Sequence, residues 1–107
     1  MEAQSNRQMN QMSGGQKPSF TSKQGQYLAF IDAYTRVHLR APAEADIQRY
    51  FGVTPPSVHQ MILTLERAGL IRRQPGVPRS IEVLVPPDDL PVLEANTQPV
   101  KTSVTRN

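Results

Sequence analysis

Thr54, Pro56, Ser57, His59 and Gln60 fall within one short stretch, "TPPSVHQ". None carries a negative charge, and each except proline can form hydrogen bonds through its side chain. Such a set suits the edges of nucleic-acid bases. An α-helix enters the major groove of B-DNA, where every base pair displays its own pattern of donors, acceptors and methyl groups. Gln60 can bond an adenine edge through both amide atoms, and His59 can donate to a guanine acceptor. Ser57 and Thr54 can bond a base or a phosphate, and the Pro56 ring or the Thr54 methyl can touch a thymine methyl. The plain alternative is that Pro55-Pro56 starts a helix and nothing more. Both can hold, because two fixed φ angles stiffen the turn that a recognition helix presents to bases.

A second group follows at once. Arg67, Arg72, Arg73 and Arg79 lie in a stretch without a single acid. Arginine forks onto phosphate oxygens better than lysine does. Arg72, Arg73 and Arg79 are therefore expected to track phosphates or to enter the minor groove. The competing reading is a solvated positive hairpin. The formal net charge of the whole chain is +3, too small to argue from by itself.

Other chemistries are weakly represented. Cysteine is absent, which excludes disulfides, thiolate zinc sites and a cysteine nucleophile. His38 and His59 stand far apart, so no metal and no cofactor is expected. "MSGGQK" at 12–17 is similar to the signature loop of transport ATPases, but no GxxxxGK[ST] phosphate loop accompanies it, and the match is set aside as chance. Asp88-Asp89 reads as a solvated loop, and Lys101 and Ser103 have no scaffold for catalysis. The chain is not expected to be an enzyme. No apolar run approaches the roughly 20 residues of a membrane span, and the N-terminus lacks the apolar stretch of a signal peptide. A cytoplasmic protein, associated with the nucleoid through DNA, is the expectation.

Three helices and a hairpin must position these groups. "TSKQGQYLAFIDAYTRVHLR" opens with Thr21 and Gln24 in capping-box spacing. Apolar side chains at Tyr27, Leu28, Phe30, Ile31, Tyr34 and Val37 then repeat with a helical period, which predicts a helix over 22–39 with one broad buried face. "APAEADIQRYFGV" predicts a short helix over 43–51. Pro42 sits at its start, Glu44 and Asp46 near its positive end, Ala45, Ile47 and Phe51 supply apolar surface, and Gly52 closes it. Thr54 caps the third helix, Val58, Met61, Ile62 and Leu65 give its buried face, and Gly69-Leu70 gives a Schellman stop. About three residues separate the second and third helices, which is helix-turn-helix spacing. "LIRR" and "SIEVLV" then flank a Pro-Gly turn and read as a two-stranded ribbon lying partly on the helices. The fold class is mainly α with a small β-hairpin: a winged helix-turn-helix of three helices followed by a two-stranded wing. Residues 21–85 form this domain, residues 1–20 read as a disordered tail, and residues 86–107 read as a Pro-rich flexible tail in which "LPVL" at 90–93 is the one apolar patch, able to fold back on the core or to meet a partner.

Residues 21–85 resemble the DNA-binding domain of LexA-type repressors. The pieces that carry the resemblance are "TSKQGQYLAFIDAY", "APAEADIQRYFGV", "TPPSVHQMILTLERAGLIRR" and "GVPRSIEV". It implies a winged helix that binds double-stranded operator DNA, with the start of the third helix reading bases at Thr54, Pro56, Ser57, His59 and Gln60. It also implies phosphate contacts from the wing at Arg72, Arg73, Arg79 and Ser80, and from the first helix at Lys23 and Gln24. LexA repressors continue into a domain that dimerises and cleaves itself with a Ser-Lys dyad. The resemblance covers none of that domain, so neither self-cleavage nor its dimer is expected here. The expected function is that of a sequence-specific DNA-binding transcriptional regulator, repressor-like. So small a reader buries little surface on DNA, and paired binding as a homodimer on two half-sites is expected. The alternatives are a winged-helix protein-interaction module and a non-specific architectural DNA binder.

Overall fold

The structure, a computed structural model, describes residues 19–95. Residues 1–18 and 96–107 hold most of both expected tails and the "MSGGQK" motif, and they lie outside the described residues. The elements run α1 (Ser22–His38), α2 (Glu44–Phe51), α3 (Pro55–Arg67), β1 (Ile71–Arg72), β2 (Glu82–Val83) and a 3-10 turn at Pro87–Asp89. β1 and β2 pair antiparallel, with Ile71 opposite Val83 and Arg72 opposite Glu82. This is the winged helix-turn-helix expected from the sequence.

Local chemistry sets the helix ends. At α1 the Thr21 hydroxyl accepts from the Gln24 amide at 3.1 Å, and the Gln24 side chain accepts from the Thr21 amide at 2.9 Å. Both are orphan donors of a helix start, so the capping box satisfies two at once. At α2 the cap is Ala43, which has no side-chain acceptor, and only the return half forms: the Asp46 carboxylate accepts from the Ala43 amide at 2.9 Å. Gly52 ends α2 at φ 66°, a left-handed value that glycine adopts freely. α3 stops in a full Schellman motif. The Leu70 amide donates to the Leu65 carbonyl and the Gly69 amide to the Glu66 carbonyl, each at 3.0 Å. Gly69 itself sits at φ 77°.

The core is built from one face of each helix. Tyr27, Leu28, Phe30 and Ile31 of α1, Ile47 of α2 and Val58, Ile62 and Leu65 of α3 are buried together. Each fully buried aliphatic side chain here contributes about 1.5–3 kcal/mol of transfer free energy. Aromatic stacking fixes α2 on α1: Phe51 lies flat on Tyr27 with ring centroids 4.2 Å apart, and Tyr50 on Phe30 at 4.5 Å. Two apolar expectations change. Val37 is 74% exposed because the last turn of α1 runs past the core, and Ala45 is exposed on the outer side of α2. Beneath the wing, Ile71, Ile81 and Val85 are buried against the helices, which is what so short a hairpin requires.

Within residues 86–95, the start of the expected tail, the "LPVL" patch folds back on the helices, one of the two courses open to it. Leu90 and Leu93 pack on the core. The Gln26 carboxamide donates to the Val92 carbonyl at 2.9 Å and accepts from the Glu94 amide at 2.8 Å. The Tyr50 hydroxyl donates to the Glu94 carbonyl at 2.6 Å. Phe20 completes the seam from the other end of the chain. Gly25 is small where this strap crosses α1, since a Cβ there would stand 2.9 Å from the Phe20 ring and 3.0 Å from Pro91.

Candidate nucleic-acid interface

α3 has two unlike sides. Val58, Ile62 and Leu65 are sealed in the core, while Thr54, Pro56, Ser57, His59 and Gln60 are all exposed. The turn at residues 52–54 separates α2 from α3 by three positions, and Thr54 supplies the cap. Its hydroxyl accepts from the Ser57 amide at 3.4 Å and donates to the Ser57 hydroxyl at 3.0 Å. The Ser57 hydroxyl therefore accepts from Thr54 and keeps its own hydrogen to donate outward. Pro55 and Pro56 occupy the first two helical positions, where a missing N–H costs nothing. The Gln60 side chain has no hydrogen-bond partner among the described residues. Farther along, Thr64 donates back to the Gln60 carbonyl at 2.9 Å and belongs to the helix rather than to its outer face.

His59 has a partner from outside α3. Its Nδ1 lies 3.5 Å from a Glu44 carboxylate oxygen at the first turn of α2. The exposed face of α3 thus has an acid beside it, which the sequence of α3 alone does not reveal.

The arginines behave differently in space from what their sequence neighbourhood implies. Every one proposed for the wing has an acid drawn from elsewhere. Arg72 donates to Glu82 across the hairpin at 2.8 Å, and Arg73 to Glu66 at the end of α3 at 3.1 Å. Arg79 has the richest set of partners. Its Nη1 donates to Asp46 at 3.1 Å, to the Tyr34 hydroxyl at 3.2 Å and to the Ala41 carbonyl at 3.2 Å. Those three partners lie on α2, on α1 and in the turn between them. Arg79 is thus the bolt that fastens the wing to the helices. It adopts φ 58°, unusual for a side chain that is not glycine. The Ala43 amide, then the Arg79 and Arg49 guanidiniums and the Tyr34 hydroxyl, hold the Asp46 carboxyl below its ordinary range against the opposing effect of burial.

Within the wing, Val77 donates to the Gln74 carbonyl at 3.0 Å, with Pro75 and Gly76 between them and Gly76 at φ 77°. Proline then glycine is the order a type II turn demands. The Ser80 hydroxyl accepts from the Gln74 amide at 2.9 Å and donates to the Val77 carbonyl at 2.8 Å, so it closes the loop from inside. A cleft of about 340 Å³ between the wing and the start of α2 is lined by Glu44, Arg73, Arg79 and Ser80 among others. At the far end of α1, Lys23 is exposed and Gln24 is half-buried in its capping box.

The residues singled out from the sequence accordingly fall into three places: the outer face of α3, the wing, and the start of α1. The Asp46–Tyr34–Arg79 cluster, the Glu44–His59 contact and the Gln26 strap were not among them. Glu44 and Asp46 carried a signal only as acids near the positive end of α2. Among the described residues, no group of three His, Asp or Glu side chains stands ready to hold a metal ion, and no helix is long and apolar enough to cross a membrane.

Comparison with known proteins bears on the whole arrangement. The family model described as the LexA DNA binding domain matches residues 17–80. The chain is 33% identical over 72 residues to the LexA repressor of Thermosipho africanus, covering 67% of this chain and 36% of that protein. It is 37% identical over 75 residues to the LexA repressor of Exiguobacterium sp., covering 69% and 35%. For the LexA repressor of Thermosipho melanesiensis the figures are 36% over 64 residues, 60% and 32%. The chain spans about a third of the length of the curated relatives it matches.

Proposed function

The chain belongs to the LexA DNA-binding domain family, and on that premise we propose that it is a sequence-specific, repressor-like regulator of transcription that binds double-stranded DNA. The observation that carries the reading is the division of α3. One face is sealed into the core, while Ser57, His59 and Gln60 stand exposed on the other with Thr54 and Pro56 at its stiffened tip. In this reading the N-terminal half of α3 enters the major groove and its side chains bond base edges. The wing lies on the adjacent backbone. Arg72 is its most available guanidinium, 69% exposed despite its bond to Glu82. Arg73 and Arg79 would reach phosphate only with nitrogens not already bonded to Glu66 and Asp46, so their first duty is to shape the wing. Lys23 and Gln24 would meet phosphate at the start of α1.

Two copies on two half-sites would supply the buried surface that one small domain lacks. Selection of bound duplexes from a random pool tests the reading. A sequence motif is expected, and a palindrome within it is expected if binding is paired. Recovery of duplexes without any motif, at an affinity that salt weakens steeply, would leave a non-specific binder. An absence of salt-dependent duplex binding would favour a protein-interaction module.

A further inference from the structure

Glu44 is an odd neighbour for a surface meant to approach a polyanion. It opens α2, it is half-exposed, and its carboxylate faces the His59 imidazole across the helix-turn-helix at 3.5 Å. We propose that Glu44 is a specificity-positioning residue: it holds the His59 ring so that Nε2 faces outward as a bare acceptor, and His59 then selects a base that offers an amine. The inference rests on the base-reading role of α3 proposed above.

The chemistry follows from what each group can do. An ionised carboxylate only accepts, so the ring nitrogen that faces it carries the hydrogen. In a neutral imidazole the other nitrogen is then bare. The Nδ1 atom is the one beside Glu44, while Nε2 has no hydrogen-bond partner among the described residues and belongs to a side chain that is 55% exposed. Major-groove amines belong to adenine (N6) and cytosine (N4), whereas guanine presents O6 and N7, both acceptors. A bare Nε2 bonds an amine and meets guanine lone pair to lone pair. With a loose ring the opposite tautomer is open, and His59 donates to guanine equally well. The carboxylate therefore decides which base class His59 accepts. Glu44 also lies near the positive end of α2, where any acid is favourable. A purely helix-stabilising role would leave the tautomer and the base preference untouched.

Two measurements separate these roles, both at pH 8, where a free imidazole is neutral. The first is a two-bond proton–nitrogen correlation spectrum of the nitrogen-15-labelled protein, with His38 as the internal reference. His59 is expected to show hydrogen on Nδ1 in the wild type and to move toward hydrogen on Nε2 in Glu44→Ala. The second is selection from a random duplex pool with the wild type, Glu44→Gln, Glu44→Ala and His59→Ala. In the wild-type motif one column is expected to hold adenine or cytosine on the strand that α3 faces. That column should become indifferent in His59→Ala. In both Glu44 variants guanine should be admitted there at least about fivefold more often, with the other columns unchanged. Glu44→Gln keeps the size of the side chain at the start of α2, so folding is retained even if Glu44→Ala weakens it. If His59→Ala alters a column while both Glu44 variants leave that column and the ring spectrum as in the wild type, the inference is overturned and base reading stands. If the wild type yields no motif, base reading fails and the inference falls with it.

Discussion

Gln60→Ala separates the proposed base reading from folding and from backbone contact. The side chain is exposed, has no hydrogen-bond partner among the described residues, and sits mid-helix, where alanine is at least as favourable as glutamine. Folding stability should therefore change by no more than about 0.5 kcal/mol. The back-bond from Thr64 ends on the Gln60 carbonyl, so truncating the side chain leaves it in place. On DNA the loss is larger. A bidentate amide–adenine pair contributes roughly 1–3 kcal/mol of discrimination, which corresponds to about 5- to 150-fold in affinity for the selected site. Affinity for a scrambled duplex should not move, because phosphate contacts supply nearly all of that binding.

The assay is a cycle of protein and DNA changes at one fixed salt concentration. Wild type and Gln60→Ala are each titrated by fluorescence anisotropy against the selected duplex, against duplexes changed at one base pair, and against a scrambled one. In the wild type, replacing the contacted base should cost what Gln60→Ala costs. In the variant the same replacement should cost almost nothing, so the two losses do not add. Equal weakening on selected and scrambled DNA would refute base reading by this helix. A drop in thermal stability of several degrees would show that Gln60 is not the free outer group its exposure describes.

Other expectations follow from the same geometry. Arg72→Ala should weaken all duplexes alike and lower the slope of log affinity against log salt by about 0.9, read from titrations at several salt concentrations. Gly69→Ala should cost about 1 kcal/mol, and so lower the melting temperature by roughly 4–8 °C, because alanine at φ 77° is strained although no atom lies within 4 Å of the new Cβ; the motif it selects should not change. Asp46 has a folded pKa below its ordinary value, so its contribution is complete above about pH 3.8 and is lost as pH falls through the lower folded value; Arg79 side-chain shifts followed by NMR should hold steady from neutral pH down to that range and move only beneath it. Gln26→Ala should remove hydrogen-exchange protection at the Glu94 amide and speed cleavage within residues 90–95 under limited proteolysis, while the amides of α3 keep theirs.

Helix ends and helix faces were legible in the sequence because their causes lie within a few residues. Thr21 finds Gln24 three positions on, Thr54 is followed at once by two prolines, and Gly69-Leu70 closes on Leu65. Apolar spacing located Ile47, Val58, Ile62 and Leu65 in the core for the same reason. It failed at Val37, since a period says which face a residue is on and not whether another element reaches that far along the helix. The wing bolt, the strap and the Glu44 contact join residues separated by 33, 66 and 15 positions. Nothing local in the chain encodes those meetings. They exist only after the hydrophobic faces have closed and brought polar groups together that must then be paired.

The arginines show how this changes a functional argument. Read along the chain, Arg67 to Arg79 is a run of cations without an acid, and it resembles a phosphate grip. In the folded domain Glu66, Asp46 and Glu82 arrive from three different elements and engage Arg73, Arg79 and Arg72. A guanidinium has five N–H donors, so an internal carboxylate does not by itself remove it from DNA. Exposure then ranks them: Arg72 is 69% exposed, Arg79 33% and Arg73 18%. A pair at the surface exchanges partners easily, because solvent screens it and little is lost when it opens. A partly buried pair that fastens the wing to the helices, as Arg79 does through Asp46, Tyr34 and Ala41, does not, because opening it disturbs the fold. Removing Arg72 should therefore change how the protein binds, whereas removing Arg79 should change where the wing stands, and with it the alignment of α3 on any base.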